Sequence, residues 1–259
     1  DDECLFASSL LKKISTLIIC FRDIPNNYEI SNARKKALNS YPLKKIKVLE
    51  LKISQAKETL IPINWLNIKD SRTGLKGGYK NKSYNTNFEK LLFKLRDLVP
   101  NNSSLVTHNP WGEYGHSEHS QVFKACFQIS IERESNLYVS GYISNLSKHY
   151  ALRKLHLLFP KVYKFKTNKK IFNLLRDHYI KKGCWTWYYS YDIPKMEFFY
   201  KVNLSKDVNS ISSKNISFNL PFNYIKHINP LSYFVIGIIK KFFPFYIKKI
   251  LRKIHLLNK

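Results

Sequence analysis

The pattern of apolar and polar positions divides the first half of the chain into alternating strands and helices. Asp1 to Lys13 reads as a loop running into a helix, with Leu5, Phe6, Leu10 and Leu11 as its apolar stripe. Ile14 to Phe21 (ISTLIICF) is a short, continuous, β-branched run, which predicts a buried strand. Arg22 to Asn27 holds a Pro and two Asn and predicts a loop, after which Ser31 is placed to cap a helix through Asn39. Ile46 to Ile53 (IKVLELKI) alternates and predicts a second strand. The polar, Gly-containing stretch from Asn64 to Asn87 predicts a long loop near a site. Helical periodicity returns over Phe88 to Leu98, followed by a short strand at Ser104 to Thr107 and a helix over His119 to Ile131. Leu137 to Ile143 predicts a later strand, and Ile171 to Lys182 a helix closed by Gly183.

Strand, helix, strand, helix, strand with short connections predicts an α/β fold: a Rossmann-like, mostly parallel sheet with helices on both faces. The predicted domain covers residues 1–225. Residues 226–259 differ in character. From Val235 to Lys259 there are seven basic residues and no acidic one, and apolar residues such as Ile239, Phe243, Ile247 and Ile250 recur at helical spacing. That pattern predicts a basic amphipathic helix, broken or restarted near Pro244, that lies against an anionic membrane surface. The competing reading packs its apolar face on the domain and leaves the Lys as a solvated rim.

Composition adds charge to this picture. The 259 residues carry a formal net charge of +26, and 36 of the 44 basic residues are Lys. A basic surface attracts phosphate groups, but scarce Arg weakens the case for nucleic acid, where Arg supplies bidentate recognition. A Lys-, Asn- and Ile-rich chain also fits an AT-rich coding sequence. The four cysteines show no CxxC pair or regular spacing and predict reduced thiols in or near the core of a cytoplasmic protein. No run of about 18 apolar residues exists, so no transmembrane helix is expected.

Two segments carry candidate chemistry: Asp1-Asp2-Glu3, and THNPWGEYGHSEH from Thr107 to His119. His116 and His119 stand three apart across a helix start and can face one centre. Zinc accepts imidazole nitrogen and carboxylate oxygen, and a catalytic zinc keeps a position for water. A neighbouring carboxylate can then act as general base. Asp1 and Asp2 supply one carboxylate for each role. Taken alone, an HxxH pair also fits surface histidines on a helix, and an acidic triplet fits a solvated helix start. Both segments border predicted strands, at whose carboxyl ends open parallel sheets form their sites. His108, Asn109, Trp111 and Glu113 crowd the second segment. Trp185 and Trp187 read as core or interface aromatics rather than sugar-stacking platforms. His149, His156, His178, His227 and His255 show no partner pattern.

In these two motifs the chain resembles the PIG-L/LmbE family of zinc-dependent N-acetylglucosamine deacetylases, whose (A)HPDDE and GHx[DE]H motifs are matched by DDE at the first residues and GHSEH at Gly115 to His119. The likeness covers about the first 125 residues and extends less closely to GCWTWYYSY. It implies an LmbE-like fold, a Zn2+ cofactor and an N-acetylated sugar substrate, carried on a lipid, a nucleotide or another small group. It further implies Asp1 as general base, Asp2 and His119 as zinc ligands, and His116 as the group that stabilises the oxyanion or protonates the leaving amine. Tyr114 is expected to face substrate, and Arg34 could contact a substrate phosphate, although a solvated helix position is the stronger reading for Arg34. The family's first zinc-binding His would precede Asp1. The resemblance therefore implies a natural chain with His-Pro ahead of Asp1, and poor zinc binding by the two remaining ligands. The implied location is cytoplasmic, peripheral at the inner face of the membrane. A zinc amidohydrolase acting on a non-sugar amide, and a catalytically inactive basic membrane- or nucleic-acid-binding protein, remain as alternative readings.

Overall fold

A computed structural model describes residues 1–56, 69–76, 82–187, 191–212 and 220–225. The chain divides into two compact units, Asp1–Ile225 and Lys226–Lys259. The expected C-terminal amphipathic helix lies outside the described residues, as do residues 64–68 and 77–81 of the expected loop.

The first unit is mixed α/β. Its elements in order are α1 (Asp2–Phe6), β1 (Thr16–Asp23), α2 (Tyr28–Asn39), β2 (Lys47–Ser54), the hairpin β3 (Lys69–Ser71) and β4 (Gly74–Lys76), and α3 (Lys82–Leu98). There follow β5 (Ser104–Thr107), α4 (Ser117–Glu132), β6 (Asn136–Ser140), β7 (Tyr142–Ser144), α5 (Lys148–Lys154), β8 (Leu158–Lys166), α6 (Lys169–Lys182), β9 (Met196–Val202) and β10 (Asn223–Ile225).

Parallel pairing dominates where helices intervene: β1 pairs with β2, β5 with β6, and β7 with β10. The four-stranded sheet runs β5-β6-β9-β8, with β9 antiparallel to both neighbours. The strands thus fall into four small sheets among the described residues rather than one continuous parallel sheet.

Several boundaries follow from local chemistry. Helix α2 begins earlier than expected because Asn27, not Ser31, is the cap: Asn27 Oδ1 accepts from Ile30 N at 3.2 Å, and Ser31 Oγ donates back to the Asn27 carbonyl. Helix α3 also starts earlier, at Lys82, because Tyr84, Phe88, Leu91, Leu92 and Leu95 form one buried face that the polar residues between them obscure. Gly183 closes α6 in the left-handed region (φ 76°), as its position predicts. The four cysteines are free; Cys4, Cys126 and Cys184 are buried and Cys20 half-buried.

The main core lies between α3, α4 and the strands β2, β5 and β6, with Phe88, Leu91, Phe123, Ile129, Leu137 and Val139 at its centre. Helix α2 packs on β1 and on α6.

Two buried polar clusters hold distant segments together. Asp70 on β3 is shared by Lys124 of α4 and Lys154 of α5, and both ammonium groups are almost wholly buried. Their remaining protons go to Asn209 Oδ1 and to the carbonyls of Ser71, Val208 and Ser210. Asp70→Asn would leave two buried ammonium groups without their counter-charge and is expected to cost about 3–5 kcal/mol. Chemical denaturation should show that loss, whereas the exposed pair Arg72–Glu89 should be worth under about 1 kcal/mol. In the second cluster, Glu197 of β9 accepts from Ser8 Oγ at 2.7 Å, from Ser9 N at 2.9 Å and from Ser9 Oγ. This anchors the chain just beyond α1, and so the Asp1–Asp2 end, to the sheet.

Candidate metal centre

β5 ends at Thr107, which makes His108 the first residue beyond the sheet edge. The chain then turns back on itself before α4. Asn109 and Glu113 hold that turn reciprocally: Glu113 N donates to Asn109 Oδ1 at 2.8 Å, and Asn109 N donates to Glu113 Oε1 at 3.1 Å. Asn109 Nδ2 bonds the carbonyls of Ser140 and Tyr142, and Trp111 Nε1 donates to Tyr142 O at 2.8 Å. Gly112 adopts φ +67°, and a Cβ there would meet the His116 carbonyl oxygen at 2.3 Å. Glu113 itself is left-handed at φ 50°, a conformation unusual for a side chain of its size. Gly112→Ala should therefore lower stability by more than about 1 kcal/mol, read as a drop in Tm, and displace the histidines that follow.

The turn delivers Glu113 into the core, with its carboxylate fully buried. One oxygen, Oε2, accepts from His108 Nδ1 at 3.0 Å and from His119 Nδ1 at 2.8 Å. The other takes Ser140 Oγ at 2.7 Å. In the neutral, ligating form each Nδ1 donates to Glu113 and each Nε2 presents a lone pair. His119 Nε2 lies 3.4 Å from Asp2 Oδ2. Asp2, His108 and His119 offer ligand atoms that all lie within 4.8 Å of one another, so the three could hold a metal ion. The Asp2 side chain is 41% exposed, which leaves the centre open to an incoming molecule.

Burial works against the charged form of His119, but the Asp2 and Glu113 carboxylates outweigh it and raise its pKa. Desolvation would raise the pKa of Asp2; the His119 imidazole pulls it well below the usual carboxylate range instead. Glu113, which burial alone would protonate, is held to about 2 by the two imidazoles. The same negative charge that retains a proton on His119 attracts a cation, and a cation binding at Nε2 must displace that proton.

The sequence-derived residues converge here. His116 stacks on His119 with ring centroids 4.5 Å apart, and His108 stacks on its other side at 3.8 Å. Burial and the neighbouring His119 charge push the His116 pKa down to about 3, which keeps the ring neutral, and its Nδ1 has no hydrogen-bond partner among the described residues. Asp1 Oδ2 accepts from Thr186 N at 3.1 Å and Thr186 Oγ1 at 2.9 Å. Tyr114 meets His119 edge-on at 5.4 Å and leans on Trp187 at 5.1 Å. Arg34 borders the same cavity as Asp1, Asp2 and His119, with Nη1 donating to the Arg22 carbonyl at 3.2 Å. Trp187 is buried against Phe6 and Tyr114, as a core aromatic is expected to be.

Sequence reasoning missed His108 as a member of the ligand set and Glu113 as the group orienting two imidazoles. Among the described residues, the cluster that could hold a metal ion thus has three side chains, where the sequence reading named Asp2 and His119. The available signal was position: a His directly after a strand stands at the carboxyl edge where sites form. No family model matches the chain, and neither a curated protein nor a solved structure matches it.

Proposed function

We propose that the chain is a zinc-dependent N-deacetylase that removes the acetyl group from an N-acetylglucosamine-type sugar, as its resemblance to the PIG-L/LmbE family implies. The observation that carries this reading is the approach of Asp2 to His119, at 3.4 Å, from motifs more than 100 residues apart. Zinc suits one carboxylate and two imidazoles whose far nitrogens share a buried carboxylate. When bound, zinc would supply a water of lowered pKa and polarise the amide carbonyl. Asp2, His108 and His119 would hold it, and Glu113 would keep both imidazoles in the ligating tautomer.

The other residues supply proton transfer and position. Asp1, adjacent in sequence to Asp2 and oriented by Thr186, accepts the proton of the attacking water. His116, neutral and with an Nδ1 that has no hydrogen-bond partner among the described residues, stands beside the centre to stabilise the oxyanion or hand a proton to the departing amine. The C–N bond of the acetamide breaks, giving acetate and the amino sugar. Tyr114 borders the substrate, and Arg34 takes a phosphate on its carrier. A Rossmann-like sheet would set these groups at its carboxyl edge.

Zinc-loaded protein should release acetate and a free amine from N-acetylglucosaminyl carriers. Stoichiometric zinc with no acetate from any such carrier would defeat the proposal. Release from simple non-sugar acetamides instead would assign a different amidohydrolase. His108→Ala should weaken zinc binding by at least about 100-fold, measured by competition with a chelator. Unchanged affinity would remove His108 from the ligand set.

A further inference from the structure

The segment that carries Asp1 and Asp2 is gripped by α6 and its flanks at three points, in antiparallel order. Asn168 N, just ahead of α6, donates to Ser8 Oγ at 3.3 Å. Tyr179 Oη, near the end of α6, donates to Glu3 Oε1, which Tyr41 Oη also meets at 3.3 Å. Thr186, beyond α6, donates to Asp1 Oδ2 from its amide at 3.1 Å and from its hydroxyl at 2.9 Å. Residues 168, 179 and 186 thus meet residues 8, 3 and 1, and α1 packs against α6.

The end of α6 explains how Thr186 reaches Asp1. Gly183, at φ 76°, turns the chain out of the helix, and Cys184 N bonds back to the Tyr179 carbonyl at 3.0 Å. On the other side of Thr186, Trp187 is buried edge-on to Phe6 at 6.0 Å and against Tyr114 at 5.1 Å. Thr186 therefore sits between two fixed points. Its own side chain is exposed, so the core does not require it. Its amide and hydroxyl nevertheless converge on one oxygen of a carboxylate whose side chain is only 9% exposed.

That convergence distinguishes the two oxygens of Asp1. An oxygen that faces two donors has no acceptor for a proton of its own, so a proton taken up by the carboxylate sits on Oδ1.

We infer that Thr186 is the positioning residue for Asp1: it holds Oδ2 and leaves Oδ1 as the atom that takes the proton, an assignment that rests on the deacetylase reading. In the attacking step an O–H bond of water breaks and its proton goes to Asp1 Oδ1. The water oxygen bonds to the acetamide carbon, and the carbonyl π electrons move to the carbonyl oxygen. Thr186 bonds Asp1 and none of Asp2, His108 or His119, so its loss should fall on the chemical step rather than on metal or substrate affinity.

The test compares the zinc-loaded full chain with Thr186→Val, Thr186→Ser, Asp1→Asn and the double variant Asp1→Asn/Thr186→Val. Acetate release is followed on the N-acetylglucosaminyl carrier that the wild type hydrolyses, and zinc content by atomic absorption. Thr186→Val should lower kcat by at least about tenfold, the loss of one hydrogen bond to a charged group, with KM and zinc content unchanged. Thr186→Ser, which keeps the hydroxyl, should stay within about threefold of wild type. In the Asp1→Asn background, Thr186→Val should have no further effect, because the two residues act as one unit. Wild-type kcat in Thr186→Val, a loss confined to KM or zinc content, a Ser variant as slow as the Val variant, or additive losses in the double variant would each overturn the assignment while leaving the deacetylase reading intact. A wild type that takes up zinc and releases no acetate from any such carrier would remove that reading and this assignment together.

Discussion

Replacing His119 by Ala is expected to abolish zinc binding at micromolar metal and to lower acetate release by at least about a thousandfold. No other side chain in the centre touches as many members: His119 meets Asp2 through Nε2, Glu113 through Nδ1, and both His108 and His116 through its ring faces. The protein should remain folded, because the ring lies at the cavity rather than in the main core. Circular dichroism of the variant, beside its zinc content by atomic absorption and its turnover, separates the effects. Retained zinc at wild-type stoichiometry would show that the metal, if bound, sits elsewhere. The Asp1→Asn variant serves as the contrast: it should keep its zinc and lose turnover, since Asp1 is proposed to take a proton and not to ligate.

Glu113 is expected to give the second large effect, with a different signature. Glu113→Gln keeps the shape but only one of its two head atoms accepts: with the oxygen toward the imidazoles its NH2 opposes the Asn109 N and Ser140 Oγ donors, and with the NH2 toward the imidazoles both Nδ1 atoms lose their acceptor. Zinc affinity should fall about 10- to 100-fold while the fold survives. Glu113→Ala should be far worse. It strips acceptors from His108, His119, Asn109 N and Ser140 Oγ together, all in a buried turn, at a stability cost of about 3–5 kcal/mol. Zinc titration and denaturant unfolding of the two variants should rank them in this order. Equal zinc affinity for wild type and Glu113→Gln would mean that the imidazoles need no such orientation.

How much of this was legible in the sequence varies with the physics behind each element. β5 and the end of α6 were readable because local signals agree there: a β-branched run bounded by polar residues, and a Gly where only a left-handed cap fits. β8 and β9 were not anticipated. β8 contains Pro160 and three Lys, which mask its alternation, and its place in the sheet depends on antiparallel pairing with residues 30 or more positions away. The β3–β4 hairpin lay hidden in a polar stretch because it is held by contacts to other elements: Asp70 pairs with Lys124 and Lys154, and Gln121 bonds the Thr73 and Tyr84 carbonyls. At the site, the proximity of Asp2, His116 and His119 was expected from motif order. His108 and Glu113 were visible only as crowding, since their roles depend on a turn built by Asn109 and Gly112.

The bond from Glu197 to Ser8 and Ser9 spans 188 or 189 positions in sequence and has a consequence for how this protein can change over time. In a strand, a slip of one position sends each side chain to the opposite face. A single insertion in β9 would therefore withdraw Glu197 from the two serines and cut loose the segment that carries Asp2, without altering any residue near the metal centre. Tolerance to insertion should accordingly be lower in β9 than its distance along the chain from both motifs would suggest, and drift there would be read out as lost metal rather than as a lost fold.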